Sequence, residues 1–179
     1  MRAMISRLRL LLVPAFILIA VAANAAEAVR IAAAANLVHV LDPLDAAFQQ
    51  TRPGVKVEVV IGSSGNLVAQ ITQGAPYDIF LSADMAYPRA LLANGRAVAA
   101  SLTPFASGRL VLWTTRPDLP LTDIAATLLN PAVRRLAIAN ITTAPYGRAA
   151  RQVIGRLGLW QEVEPRIVVG EDISQTAQF

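Results

Sequence analysis

"VVIGSSGNLVAQITQGAPYDIFLSAD" runs from Val59 to Asp84 and has the pattern of strand, helix and strand in succession. A β-branched run stops at Gly62. Ser63, Ser64, Gly65 and Asn66 follow, and a helical pattern starts at once. Upstream, Val55, Val57, Val59 and Ile61 alternate with Lys56 and Glu58, the period of a strand. Leu67 to Gln73 reads as a short helix closed by Gly74-Ala75-Pro76. Ile79-Phe80-Leu81 reads as a buried strand ending at Ser82-Ala83-Asp84. A strand that becomes a helix through two hydroxyls and a glycine presents the first-turn N–H groups, which have no partner within the helix. The helix dipole adds partial positive charge there. Small anions bind such places without lysine or arginine.

The same alternation extends both ways. Val29 to Ala34 reads as a buried strand and Leu37 to Gln50 as a helix, with Pro43 near its first turns. Ala86 to Ala93 is a helix stopped at Asn94-Gly95. Beyond it, RLVLWT (Arg109 to Thr114) reads as a strand, Leu121 to Leu129 as a helix and Leu136 to Ala139 as a strand. Pro145 suits the first turn of a helix running to Arg156. Arg166 to Val169 is a strand, and Glu171-Asp172-Ile173-Ser174 opens another helix. Strands alternating with helices argue an α/β fold with mainly parallel sheets flanked by helices. The Pro/Gly/Ser punctuation at Pro104 to Ser107 is the best boundary, giving lobes at 26–105 and 106–179.

Ligands in open α/β sheets bind at the carboxyl ends of strands. Four such junctions share one character, small residues with hydroxyls or amides and no lysine or arginine: Ala34-Ala35-Asn36, Gly62 to Gly65, Asn140 to Tyr146, and Gly170 to Ser174. Ordinary helix capping would select the same residue types at any one of them. Four together, two in each lobe, favour a shared oxyanion site, though composition alone leaves capping open.

Met1 to Ala25 reads as a secretory signal peptide. Arg2, Arg7 and Arg9 precede the apolar run Leu10 to Ala22, and Ala23-Asn24-Ala25 fits a cleavage site. The run is short against the roughly 20 apolar residues of a membrane span, which counts against a retained anchor. Removal leaves about 150 residues, enough for one sound core or two small lobes. The chain has 16 Lys+Arg against 12 Asp+Glu. Three of the arginines lie in the leader, so the mature chain is near neutral and Lys56 is its only lysine. Nucleic-acid binding loses its electrostatic basis. The absence of cysteine excludes disulfides and thiolate chemistry, and an exported chain of this kind suits a bacterial periplasm.

Enzymatic readings are weaker. Gly62-Ser63-Ser64-Gly65 does not meet the G-x-S-x-G elbow. His39, the only histidine, could serve Ser64 as a base in a periplasmic hydrolase, but a partly exposed helix position fits it better. Asp78 and Asp84 flank a strand like a carboxylate pair, yet turn and cap roles suit them. Trp113 and Trp160 read as core or lobe-edge residues.

Five segments carry a resemblance: AAAANL (Ala32 to Leu37), GSSGNLVAQITQGAPYDIFLSAD (Gly62 to Asp84), FASGRLVLWT (Phe105 to Thr114), APYGRAA (Ala144 to Ala150) and GEDISQTAQF (Gly170 to Phe179). The sequence resembles the periplasmic molybdate-binding proteins of ABC importers, a branch of the two-lobed type II substrate-binding fold. The resemblance implies a non-enzymatic protein, expected as a monomer without a cofactor. It would capture molybdate or tungstate between its lobes and deliver it to an inner-membrane permease. A sulfate or phosphate receptor is the nearest alternative. Carried over, the oxyanion contacts fall on Asn36 with the Ala35 backbone beside it, on Ser64, on Ala144 to Tyr146, and on Ile173 through its backbone. Asn36 stands where many members have serine, and Tyr146 is the candidate for a hydroxyl that some members supply from a later segment. Phe179 falls early in a helix with no return crossing. The sequence therefore reads as a piece of a longer protein or a truncated product, expected alone to be marginally stable and a poor binder.

Overall fold

The structure is a computed structural model that describes residues 28–119 and 121–179. The signal-peptide reading of Met1 to Ala25 lies outside the described residues. In the first lobe, β1 (Ala28–Ala34) is the central strand, with β2 (Lys56–Gly62) and β3 (Ile79–Leu81) on either side, both parallel to it. In the second lobe, β4 (Leu136–Ala139) pairs in parallel with β5 (Ile167–Gly170). The helices between are α1 (Val38–Thr51), α2 (Ser64–Thr72), α3 (Ala86–Ala93), α4 (Ile124–Leu129), α5 (Pro145–Arg156), α6 (Trp160–Val163) and α7 (Ile173–Thr176).

β1 is central because its second half is alanine. Ala32, Ala33 and Ala34 are buried, and small side chains let elements on both faces approach closely. Leu41 of α1, Leu67 of α2 and Leu91 of α3 are the buried leucines of this lobe. The core of the second lobe gathers Leu128, Ile154 and Val163, with Leu112, Leu136, Leu159, Trp160 and Ile167 packed against them. Arg151 lies over the Trp160 ring, 4.0 Å from its centroid.

β4 meets α5 with no space between them. A Cβ on Gly147 would run into the main-chain oxygens of Ala139 and Asn140. Gly147→Ala is expected to push α5 off β4 and to cost about 1–3 kcal/mol, the usual range for overpacking. A urea unfolding midpoint indistinguishable from wild type would show that this junction can relax.

Several expectations need correction. Arg109 to Thr114 is not a strand. Its apolar, β-branched composition expresses only propensity, and a strand also needs a ladder partner for its N–H and C=O groups; none of the ladders formed includes it. The helix placed at Leu121 to Leu129 starts at Ile124, because Asp123 adopts an extended conformation and accepts the Ala126 N–H at 3.1 Å as its cap. β3 is not fully buried: it is a sheet edge, and Ile79 is exposed. Trp113 is exposed as well, since the segment carrying it joins no sheet. The helix α6 was not anticipated, having too few residues to display a period.

Candidate functional site

The chain leaves β1 through Ala35–Leu37, a single 3-10 turn that runs straight into α1, with no side-chain cap at Ala34. It leaves β2 through Ser63, whose backbone is extended and whose Oγ accepts the Asn66 N–H at a long 3.4 Å. Ser63, not Ser64, is therefore the cap of α2. Ser64 opens the helix, has no exposed surface, and its Oγ accepts the Ala83 N–H at 3.1 Å. A hydroxyl that accepts one bond still has its own proton to donate.

In the second lobe, Asn140 organises the turn after β4. Its side-chain oxygen accepts from the Thr142 N–H at 2.8 Å and from the Thr142 hydroxyl at 2.6 Å, an Asx turn. Ala144 then precedes α5 with no side-chain cap, and Pro145 takes the first turn. The early N–H groups of α5 are thus left without a side-chain acceptor. After β5, Asp172 caps α7 by accepting the Gln175 N–H at 2.9 Å, while Gln175 Oε1 accepts the Glu171 N–H at 2.6 Å.

These four turns meet. One narrow cleft is lined by Ala34, Ala35, Asn36, Ser63, Ser64, Ala83, Ala144, Pro145, Tyr146, Asp172 and Ile173. All the residues singled out in the sequence, Ala35, Asn36, Ser64, Ala144 to Tyr146 and Ile173, lie on it. Asn36 is exposed at its edge. The Tyr146 hydroxyl lies against Gly108, where an added Cβ would be 2.5 Å away. Asp172 is the one charged side chain among the described lining residues.

His39 is exposed on α1, and its side chain makes no hydrogen bond among the described residues. No hydrogen bond joins Ser64 to His39 among the described residues, so a Ser–His pair has no support. Asp84 has the cap role expected of it, accepting the Ala86 and Tyr87 N–H groups, and Asp78 accepts the Arg30 N–H at 2.8 Å.

Two features escaped sequence reasoning. Ala83 lines the cleft because β3 ends beside α2, a matter of strand order. Thr143 Oγ1 is buried without a hydrogen-bond partner, one residue before Ala144 of the cleft. Buried hydroxyls are normally satisfied, so this one adds a candidate donor beside the lining.

The bacterial extracellular solute-binding protein family matches residues 29–179. The chain belongs to this family. Among its relatives, this solute-binding protein is 41% identical over 162 residues to the molybdate-binding protein ModA of Azotobacter vinelandii, covering 90% of this chain and 63% of that one. It is 39% identical over 155 residues to ModA of Rhodobacter capsulatus, covering 87% and 60%. It superposes on the solved periplasmic molybdate-binding protein of Azotobacter vinelandii with a TM-score of 0.78 at 36% identity, covering 84% of this chain and 65% of that one. The chain thus spans somewhat less than two thirds of the length of these relatives.

Proposed function

We propose that this protein captures molybdate or tungstate in the cleft between its lobes and delivers it to an ABC permease, working in the periplasm as a monomer and without a cofactor. The observation that carries the reading is the convergence on one cleft of four strand-to-helix turns, none of which brings a lysine or arginine to the lining. The similarity to proteins named for molybdate binding supports it. In this reading Ser64 donates its hydroxyl proton to the oxyanion. The first-turn N–H groups near Ala35, Asn36, Tyr146 and Ile173 supply further bonds, and the helix dipoles of α2 and α5 supply positive potential.

Neutral donors hold a dianion by number and placement. A fixed set of donors also selects by radius, because an ion of the wrong size leaves some of them unpaired. Calorimetric titration of the full-length protein with molybdate, tungstate, sulfate and phosphate tests the reading. Molybdate and tungstate are expected to bind tightly and the other two weakly or not at all. A preference for sulfate or phosphate would move the assignment to another oxyanion.

The lining also fixes the response to solution conditions. Screening weakens attraction between opposite charges, but the lining has no cation and its one charged group repels anions. Molybdate affinity is therefore expected to stay level, or to rise slightly, from low to high salt, and to be flat between pH 6 and 8. A steep loss of affinity with salt would reveal a cationic contact.

A further inference from the structure

The walls of the cleft are joined by a cluster that the anion contacts do not use. Asp84 follows β3, and while its Oδ1 caps α3, its Oδ2 forms an ion pair with Arg148 of α5. Arg148 also donates to the Tyr87 hydroxyl at 2.6 Å, and its guanidinium lies over the Tyr87 ring, 4.6 Å from the centroid. The Tyr87 hydroxyl in turn donates towards the main-chain oxygens of Thr142 and Thr143, at 3.0 and 3.2 Å. Beside it, the Gly65 N–H donates to the same Thr143 oxygen at 2.8 Å.

Every one of these bonds to Arg148, Thr142 or Thr143 crosses from the first lobe to the second. They also sit against the cleft: Gly65 follows Ser64, and Thr143 precedes Ala144. Asp84 and Arg148 are only partly exposed, with side-chain exposures of 26% and 32%, so their attraction is less screened than that of a surface pair. Burial disfavours the Arg148 charge, but the bonds to Tyr87 and Asp84 outweigh this and its pKa is raised.

We propose that Asp84, Tyr87 and Arg148 form a latch that holds the lobes shut over the bound anion and so sets how long it stays. The inference rests on the oxyanion-binding reading above. The three side chains are positioning residues: they act on the anion through the Thr142 to Ala144 turn and the Gly65 amide. A latch whose halves meet only after the lobes close leaves entry of the ion unaffected and slows its exit. This agrees with the general rule that affinity is tuned mainly through dissociation. It also explains why a cation beside an anion site is not part of the lining: the charge of Arg148 is committed to Asp84 and Tyr87.

The test uses the full-length protein with Tyr87→Phe, Arg148→Met and the double variant. Asp84 is left intact because it also caps α3. Two quantities are measured: the rate of molybdate release by rapid-mixing competition, and hydrogen exchange at the Gly65 amide, which is protected only while its bond to Thr143 is made. Each single variant is expected to release molybdate about tenfold faster with little change in association rate. The double variant should be no worse than the more severe single, because partners in one network are not additive. Gly65 exchange should accelerate in parallel. Release and Gly65 exchange both within twofold of wild type in the two single variants would overturn the latch. Should wild type take up no molybdate, the oxyanion reading has failed, and Gly65 exchange alone decides the latch: faster in the variants sustains it, unchanged overturns it.

Discussion

Gly65→Ala is expected to weaken molybdate binding by about a hundredfold, or about 2.7 kcal/mol, while the unliganded fold holds or gains slightly. Gly65 is the second residue of α2, and it is not among the glycines with positive φ, which are Gly74, Gly95 and Gly158. Its backbone therefore has no need of glycine, and alanine in a helix is better by roughly 0.5–1 kcal/mol. What forbids a side chain is the other lobe. A Cβ would lie 2.6 Å from the Tyr87 hydroxyl oxygen, 2.8 Å from the Thr143 main-chain oxygen and 2.9 Å from the Thr143 Cα, well inside the roughly 3.5 Å at which carbon atoms pack. The tyrosine tip can swing away, but the Thr143 backbone cannot do so without opening the cleft. Titration of the variant with molybdate, paired with denaturant unfolding without ligand, separates the two effects. Affinity within about threefold of wild type would show that binding does not require this close approach.

The second large effect is at Ser64, where substitution by alanine removes two bonds of different kinds. The hydroxyl proton proposed for the anion is lost, and a hydrogen bond to a charged group is worth about 1.5–3 kcal/mol. The half-buried Ala83 N–H also loses its acceptor. An orphaned buried donor costs about 1–3 kcal/mol. Ser64→Ala should thus weaken binding and also lower stability. Nothing in the sequence ties Ser64 to Ala83, so this cost to stability is visible only in the structure. Lowered stability with unaltered molybdate affinity would leave Ser64 a structural role and remove it from the site.

The legible parts of this protein were those written in local chemistry. Gly62 to Gly65, Pro145 and Asp172 announce strand ends and helix starts within a few residues, and β3, β4, α3 and α5 fall at their expected positions. Strand order then brings four separate turns to one cleft without further information. The parts that were not legible depend on distant partners. Arg109 to Thr114 has the composition of a strand, but composition cannot supply a neighbouring ladder. Ile79 reads as buried because its neighbours are apolar, whereas its exposure follows from standing at a sheet edge. The Asp84–Arg148 pair joins residues 64 positions apart; its two halves read separately as a cap and a helix arginine. Gly65 looked like a turn glycine, and its reason lies in Tyr87 and Thr143.

The most direct test of the central claim is to locate the metal. A crystal of the full-length protein grown with molybdate, with anomalous diffraction recorded at the molybdenum absorption edge, gives the position of that one atom independently of any other assumption. The peak is expected between the lobes, with the molybdate oxygens within hydrogen-bond reach, about 2.7–3.1 Å, of the Ser64 hydroxyl and of first-turn N–H groups at Ala35, Asn36, Tyr146 and Ile173. A peak anywhere else on the protein, or none there at saturating molybdate, would contradict it.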